Sequence, residues 1–393
     1  MRILCVLGEH QYGDPSRGLG TEFAAFIPAL LRLGHEVQHF ESWNKQRYRD
    51  LAELNERLLE AVETFRPDVM LTVHMEYEIW LETLEIIRAR GDVATISWSA
   101  DDSWKYREVS RYIGRAYHAM TTTYDYVVPR YHADDIGNVL LTQWAVSRDW
   151  LKVPLPANEC RYLVSFVGAA HGDRKSVVSK LHEHGIEVAC FGYGWPNGPV
   201  PAERIPEIMR ESVISLNFAN SRGEAQIKAR AFEVSGAGGF LLTGHAEGIE
   251  RFYRPGIEIA VFRDFGQLCD RIRYYLTHPS ERDAMACAGH ARTRRDHTYE
   301  QRMADVVAFA LKAKSTWPKT SPPPTFERVL ADYRVTPALK LLRTFLLAAG
   351  KVVFGSERGP RAVRRLVFEL SWRLVGRHTF TAAGWPGRLF PHL

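Results

Sequence analysis

The sequence predicts an α/β protein in which two doubly wound parallel sheets follow one another along the chain. Short apolar runs alternate with amphipathic stretches up to about residue 315, a pattern typical of parallel strands covered by helices. The alternation breaks once, at residues 151–160, where Pro154, Pro156 and Asn158 favour a linker. It then restarts, and a chain of 393 residues has room for two or three domains.

The predicted strands are short apolar runs, six before the linker and five after it. The first six are residues 3–7, 36–40, 69–73, 94–98, 119–121 and 139–141. The other five are residues 162–167, 188–191, 213–217, 240–243 and 258–262. These groups predict an N-terminal Rossmann-like domain at residues 1–153 and a second doubly wound domain at residues 160–315.

Helices are predicted from apolar periodicity and from residues that favour helix ends. Thr21 is predicted to cap a helix that stops at Gly34, and residues 47–65 are helical in period up to Pro67. The helices predicted after the last strand are residues 265–276, 280–295 and 299–314.

A basic, amphipathic tail, residues 326–393, follows a Pro-rich linker at residues 316–325. From residue 325 on, Lys and Arg number twelve against four Asp and Glu, although the whole chain has a net charge of only +5. Helical periodicity over residues 337–353 and 362–375 places these cations among Leu, Val and Phe. The pattern suits an interfacial membrane anchor or a helical hairpin folded back on the body. In the hairpin, the side chains of Trp372, Trp385 and Phe390 would be buried against protein.

Charge and cysteine content argue against several classes of protein. Without the tail the chain is mildly acidic, so we expect no nucleic-acid binding. The five cysteines are an odd number and lack the two-residue spacing of zinc or redox pairs. The apolar start, residues 3–7, is too short for a signal peptide, and no run approaches the roughly 18 apolar residues of a spanning helix. We therefore expect a cytoplasmic protein, at the inner face of the membrane if the tail is an anchor.

Residues 168–174, Gly-Ala-Ala-His-Gly-Asp-Arg, follow the first predicted strand of the second unit. Doubly wound sheets bind ligands at the carboxyl ends of their strands. Gly168 would let backbone amides approach an anion, and Arg174 would open a helix whose positive end adds to the attraction. The segment predicts a phosphate site, and the alternative is a tight turn with a solvated arginine.

A second block carries two cations and a carboxylate on a predicted helix, followed by a glycine turn into a strand. Lys228 and Arg230 would neutralise a diphosphate, and Glu233 would accept hydrogen bonds from ribose hydroxyls. The amides around Gly238 and Gly239 would close over the phosphates. The alternative is an ordinary surface helix whose glycines permit close packing.

These motifs resemble the GT-B glycosyltransferases, and within them the group 1 family typified by spore-maturation glycosyltransferase-like proteins. The resemblance covers about residues 160–302. It is carried by Gly168 with Arg174, by residues 227–243, and by the segments 275–282, 288–289 and 297–300. The N-terminal half matches only in general layout, and the tail is not covered.

The resemblance implies two Rossmann-like domains that face a cleft, extended here by the helical tail. It implies that the second domain binds a nucleotide-sugar donor, with Glu233 on the ribose, and that no other cofactor is needed. Retaining relatives often carry a second glutamate eight residues earlier, where this chain has Ala225 with Glu224 beside it. The acceptor would be a hydroxyl of a glycan or, if the tail is a membrane anchor, of a lipid-linked molecule.

The general base for the acceptor hydroxyl is expected in the first unit, at the carboxyl end of a strand. His10 follows the first predicted strand, His74 the third, and Asp101 with Asp102 the fourth. Each could equally be a loop residue that binds the acceptor, and Asp102 could cap a helix that starts near Ser103. Asp101 is the favoured candidate.

Other chemistries fit the sequence less well. The first loop holds Gly13, Gly18 and Gly20 without the G-x-G-x-x-G order, and no acid is expected at the end of the second strand, so an NAD enzyme is not expected. The first loop is instead expected to close over donor or acceptor. The histidines are dispersed, which predicts a metal-independent transfer. Two alternatives stay open, a sugar-nucleotide epimerase of the same fold and a non-catalytic sugar-binding relative.

Overall fold

The computed structural model describes residues 1–218, 226–318 and 322–392. Contacts divide the chain into two compact units, which we call the first and the second unit. The first unit contains Met1–Gln143 and Met303–Leu393, and the second contains Trp144–Arg302. The predicted domains, residues 1–153 and 160–315, end later than these units at both boundaries. The prediction also separates the tail from the unit that the tail contacts.

The first unit is built on one parallel sheet. Its strands are β1 (Arg2–Leu7), β2 (Glu36–Glu41), β3 (Val69–Thr72), β4 (Ala94–Ser97), β5 (Ala119–Thr122) and β6 (Val139–Leu141). Their order across the sheet is β2-β1-β3-β4-β5-β6, with Ile3 of β1 opposite both Val37 and Val69. The side chains of β3 and β4 are buried along the whole strand, as in parallel sheets that are covered on both faces.

The second unit has a parallel sheet of five strands. These are β7 (Tyr162–Val167), β8 (Ala189–Phe191), β9 (Ser212–Asn217), β10 (Leu241–Gly244) and β11 (Ala260–Phe262). Their order is β11-β10-β9-β7-β8. All eleven predicted strands are present among the described residues, with ends that differ from the prediction by at most two residues.

The helices follow the strands along the chain. Those before residue 299 are α1 (Thr21–Arg32), α2 (Leu51–Phe65), α3 (Leu81–Ala89), α4 (Asp102–Lys105), α5 (Arg111–Ile113), α6 (Val128–Ala133), α7 (Arg174–Glu183), α8 (Arg204–Arg210), α9 (Ala229–Gly236), α10 (Phe265–Thr277) and α11 (Pro279–Asp296). The later ones are α12 (Tyr299–Ser315), α13 (Phe326–Asp332), α14 (Pro337–Phe354), α15 (Gly359–Val375) and α16 (Trp385–Leu389).

The first two helices show where predicted starts differ from the structure. Thr21 is the first residue of α1, and Gly20 occupies the cap position. The helix α2 begins at Leu51 because the side chain of Asp50 accepts a hydrogen bond from the Glu53 amide at 3.0 Å. Periodicity continues upstream of this cap, which is why it predicted a start at residue 47.

The tail folds back on the first unit. Val329 of α13, Tyr333 directly after it and Phe368 of α15 belong to the core of that unit. The Arg364 guanidinium lies 3.0 Å from the Glu76 carboxylate, and Arg365 lies 2.8 Å from that of Glu108. These contacts are those of the predicted hairpin.

The tail buries its aromatic residues to different extents. Phe390 is fully buried, Trp372 is partly buried, and Trp385 is 42% exposed. One face of α14 stays open to solvent, with Phe345 exposed by 68% and Val352 by 86%. Among the residues that the structure describes, no helix combines the length and apolar character needed to cross a bilayer.

Candidate functional site

The second sheet has a switch point at the carboxyl end of β7. From β7 the chain adds β8 on one side and then β9 on the other. The loops after β7 and β9 begin at this switch point, where doubly wound sheets bind their ligands. The loop after β7 leads directly to Arg174, at the start of α7.

Arg174 joins these two loops. Its guanidinium donates to the carbonyl of Ala169 at 2.9 Å and to that of Phe218 at 3.3 Å. Burial and the nearby charge of Arg230 lower the pKa of Arg174. Its Nε atom is buried and finds no hydrogen-bond partner among the described residues. Arg174 is therefore a cation with a remaining donor at the switch point.

Gly168 serves the packing of this region. Its amide donates to the carbonyl of Phe191 at 2.8 Å, and its carbonyl accepts from the indole of Trp195 at 2.8 Å. A Cβ atom on Gly192 would lie 2.5 Å from the Gly168 oxygen. The Gly168 amide is thus already paired, which leaves it without a free hydrogen for an anion.

The residues at the start of α9 lie at the same edge of the sheet. Lys228 occupies the cap position, and Arg230 lies in the first turn. The charge of Arg230 acts on Arg174, so the two guanidinium groups lie close together. Arg230 forms an ion pair of 3.0 Å with Glu233. The structure thus brings Arg174, Arg230 and Glu233 together.

The other two predicted glycines lie at the opposite end of α9. The amide of Gly238 donates to the Ser235 carbonyl and that of Gly239 to the Val234 carbonyl, as in a helix C-terminus. Gly238 has a φ of +82°, and a Cβ atom there would lie 2.5 Å from the Lys152 oxygen. The expectation that these amides close over phosphates is therefore wrong, because they end the helix and pack against residues 152–154.

One expectation falls on residues that the structure does not describe. The position of the second glutamate of retaining relatives, Ala225 with Glu224 beside it, lies within residues 219–225, outside the described ranges.

The two candidate histidines of the first unit differ in burial. His74 is buried, with Nε2 at 2.5 Å from the Tyr117 hydroxyl and Nδ1 at 3.8 Å from the Glu78 carboxylate. Burial lowers the pKa of His74 although Glu78 opposes the shift. His10 is partly exposed after β1, where its backbone pairs with Leu19. Of these two, only His10 is open to a ligand.

The two candidate aspartates differ in the same way. Asp102 is 1% exposed, and its Oδ2 accepts a hydrogen bond from the Tyr131 hydroxyl at 2.9 Å. Burial raises the pKa of Asp102 to about 7. Asp101 is partly exposed. The alternative role of Asp102 as a helix cap is wrong, because Asp101 occupies that position and Asp102 begins α4.

Two glutamates near these candidates are absent from the sequence-based prediction. Glu22, in the first turn of α1, is buried, and burial together with the charge of Asp101 raises its pKa. Glu41 ends β2, so the expectation that no acid stands there is wrong. Its carboxylate accepts the amides of Glu9, Trp43 and Asn44 at 2.7–2.9 Å, which fixes the loops after β1 and β2. The sequence could have revealed Glu41, because this acid directly follows the predicted second strand.

Within the described part of the chain, no group of three or more His, Cys, Asp or Glu residues is placed to hold a metal ion.

Residues 174–308 match the family model described as glycosyl transferase-like. No curated protein sequence matches the chain.

Several solved structures share the fold. Sucrose-phosphate synthase from Thermosynechococcus elongatus is 11% identical, with a TM-score of 0.56 over 81% of this chain and 100% of that one. A glycosyltransferase from Rickettsia africae is 11% identical, with a TM-score of 0.56 over 80% and 99% of the two chains. Anabaena HepE in complex with UDP-glucose is 10% identical, with a TM-score of 0.53 over 78% and 99%. The two sheets therefore have the GT-B fold of glycosyltransferases.

Proposed function

We propose that this protein, whose residues 174–308 form a glycosyltransferase domain on a GT-B fold, transfers a sugar from a nucleotide-sugar donor to a hydroxyl acceptor. The grouping of Arg174, Arg230 and Glu233 at the switch point of the second sheet carries the proposal. Two cations beside a carboxylate suit the diphosphate and the ribose of a nucleotide. The family match favours this activity over an epimerase or a non-catalytic sugar-binding protein.

Each of these residues has a distinct role in the proposal. Arg174 and Arg230, with Lys228 at the start of α9, would bind the diphosphate. Glu233 would accept hydrogen bonds from the ribose hydroxyls while its ion pair keeps Arg230 oriented. The cations would also offset the charge that the leaving diphosphate gains, so we propose transfer without a metal or a further cofactor.

The proposed reaction is a displacement at the anomeric carbon of the sugar. The acceptor oxygen forms a bond to this carbon, the bond to the nucleotide diphosphate breaks, and the diphosphate leaves with the electron pair. The hydroxyl proton goes to a general base, for which we propose Asp101 because it follows β4 and is partly exposed. Asp102 and His74 are buried, and His10 would contact the acceptor.

The donor site is tested by calorimetry with nucleotide diphosphates, after a thermal-shift screen of nucleotide sugars has identified the base. Arg230→Ala should weaken binding by about 1.5–3 kcal/mol, the contribution of a charge-assisted hydrogen bond, without unfolding the protein. Arg294→Ala, which removes an exposed arginine of α11, is the matched control. Unchanged affinity of the Arg230 variant for every nucleotide that the wild type binds would refute the donor site.

We further propose that the acceptor is a glycan or lipid-linked molecule met at the cytoplasmic membrane surface. The exposed face of α14 supports this proposal, because Leu341, Phe345, Ala348 and Val352 are spaced four, three and four residues apart and so form one apolar stripe. Lys340 and Lys351 flank the stripe and are exposed. An apolar face with flanking cations suits an anionic membrane surface.

Sedimentation with anionic vesicles tests the membrane contact. Full-length protein should pellet with the vesicles at low salt, and Phe345→Glu should leave it in the supernatant. Removal of the tail is unsuitable because Val329 and Phe368 belong to the core of the first unit. Val153→Glu changes an equally exposed apolar residue of the second unit and is the control. Equal pelleting of both variants would refute the role of α14.

A further inference from the structure

The first unit has a cavity of about 560 Å³ that the proposed function has not used. It lies at the carboxyl ends of β1, β2 and β3, where the chain adds β2 on one side of β1 and β3 on the other. This is the switch point of the first sheet, so the cavity is where a doubly wound sheet binds a ligand. Its volume is in the range of small-molecule sites, about 300–1,000 Å³.

The wall of this cavity comes from loops that are held rigidly. Trp43 donates from its indole to the Val73 carbonyl at 2.8 Å, which fixes the loop after β2 against the end of β3. Gly13 has a φ of +71°, and a Cβ atom there would lie 2.4 Å from the Trp43 oxygen. The loop after β1 therefore packs closely on the loop after β2.

Four cations contribute to the wall of this cavity. Arg17 and Lys45 come from the two loops, and Arg361 and Arg364 come from α15 of the tail. Asp14 is the one acid among the lining residues, and it pairs with Arg17 at 3.1 Å. A concave surface with this excess of positive charge concentrates anions.

Lys45 is the decisive residue. It is 6% exposed, and no described residue forms a hydrogen bond or an ion pair with its ammonium. The ammonium lies over the face of the Tyr77 ring, 5.0 Å from the ring centroid. Burial lowers the pKa of Lys45 more than the charges of Glu76 and Glu78 raise it. Desolvation of this ammonium therefore costs the folded state free energy, and a bound anion would offset that cost.

The tail arginines complete the site in two ways. Arg364 forms an ion pair of 3.0 Å with Glu76, which holds its guanidinium at the cavity. Arg361 is exposed and has no ion pair in the described part of the chain, so its donors are open to a ligand. Cations from the loops and from the tail therefore line the same cavity of the first unit.

We propose that this cavity binds a phosphoryl group, in the form of a phosphate or diphosphate, between Lys45, Arg361 and Arg364. Arginine and lysine donors around a rigid concave site recognise this chemistry. If the proposed glycosyl transfer holds, on which this assignment rests, the phosphoryl group belongs to the acceptor, because the donor diphosphate has its own site in the second unit. The acceptor would then be a phosphorylated molecule, either soluble or lipid-linked.

Calorimetry with inorganic pyrophosphate tests the site. The full-length Arg230→Ala protein is the background, since pyrophosphate would also occupy the donor site. Added to this background, Lys45→Met and Arg361→Gln should each weaken pyrophosphate binding at least about tenfold, as loss of a charge-assisted hydrogen bond does. Arg358→Gln removes an exposed arginine that does not line the cavity and should have less than about a threefold effect.

Two results would overturn the proposal. Pyrophosphate binding that is unchanged in Lys45→Met and Arg361→Gln would overturn it, and so would an equal loss in Arg358→Gln, because net charge alone would then explain binding. Arg361→Gln keeps the test informative if Lys45→Met does not fold. Failure of the donor site is distinguishable, since it appears as absent nucleotide binding in wild type while pyrophosphate still responds to Arg361.

Vesicle flotation distinguishes the sources of the phosphoryl group. Phosphatidylcholine vesicles with and without phosphatidic acid are the probes. For a lipid phosphate, Arg361→Gln should reduce binding to the phosphatidic acid vesicles and Arg358→Gln should not. For a soluble phosphate, both variants should bind these vesicles like wild type while Arg361→Gln still loses pyrophosphate.

Discussion

Each unit buries a cation, and the two cations have different surroundings. Arg282 of the second unit is 0% exposed, and it donates to the carbonyls of Ser212, Val213 and Leu155 and pairs with Asp283 at 2.9 Å. Lys45 of the first unit is almost as deeply buried and faces an aromatic ring.

The difference separates structural charge from charge held for a ligand. Arg282 joins the start of β9, residue 155 of the connection before β7, and α11, so its donors are used within the fold. The ammonium of Lys45 forms no comparable hydrogen bonds to described residues, and it lies at the switch point of its sheet. Removing a buried charge that has its partners leaves those partners uncompensated, whereas a buried charge without partners lowers stability and is retained where it meets a ligand.

The largest expected effect concerns the chemistry of the first unit. If its sheet edge supplies the general base, Asp101→Asn should slow transfer by about two to four orders of magnitude, because an amide cannot take the acceptor proton. Donor affinity should stay that of wild type, since the proposed donor site lies in the second unit. The measurement is turnover with saturating donor together with calorimetry of nucleotide binding. Near-normal turnover would eliminate Asp101 and direct the same assay to His10.

A large loss of stability is expected at Arg282. Arg282→Met should lower the free energy of unfolding by about 3–5 kcal/mol, because three backbone carbonyls and Asp283 lose their buried partner. Denaturant unfolding followed by circular dichroism measures the change. Arg294→Met, at an exposed position of the same helix, should stay within about 0.5 kcal/mol of wild type. A small loss at Arg282 would contradict its structural role.

Protonation of Asp102 should make the free energy of unfolding depend on pH. Its folded pKa of about 7 lies above the ordinary aspartate value of 3.8, so between these two values the folded state binds a proton that the unfolded state lacks. Stability therefore falls as pH rises from about 4 to about 7. Asp102→Asn should remove this fall and stabilise the protein by up to about 4 kcal/mol at pH 8, with little change at pH 4. Unfolding free energies measured from pH 4 to pH 8 would show the effect. A variant that keeps the slope of wild type would contradict the burial of this carboxyl.

The smallest stability effect is expected at Lys45. Lys45→Met keeps the length of the side chain and removes the desolvated charge, so the variant should be at least as stable as wild type, within about 1 kcal/mol. A thermal melt beside that of Arg282→Met gives the direct comparison. Marked destabilisation would mean that Lys45 is structural like Arg282, and it would remove the contrast between the two cations.

The order of the strands along the chain could be predicted because each is a local apolar run. Residues 162–167 and 139–141 were predicted without error in their ends, since a buried parallel strand needs apolar side chains at consecutive positions. Helix starts were predicted less well because one capping hydrogen bond, that of Asp50, decides them. Arg174, Arg230 and Glu233 could be predicted as a group because all three lie in segments that follow the carboxyl end of a strand.

Other features depend on contacts that no local pattern records. Gly238 looked like a phosphate-binding glycine, and its role at a helix end follows from the closeness of the Lys152 oxygen. His74 and Asp102 follow strands as candidate bases do, yet neighbouring residues such as Tyr117 and Tyr131 bury them.

The sequence by itself determined the class of fold, the eleven strands and the basic character of the tail, because these depend on the kind of residue at successive positions. Only the tertiary structure decided where that basic charge is used. Arg364 reaches Glu76 across 288 residues of sequence, and Arg361 lines the same cavity as Lys45. These distant cations come together because α15 packs against the rest of the first unit. Side-chain packing between distant segments leaves no periodic signal in the sequence.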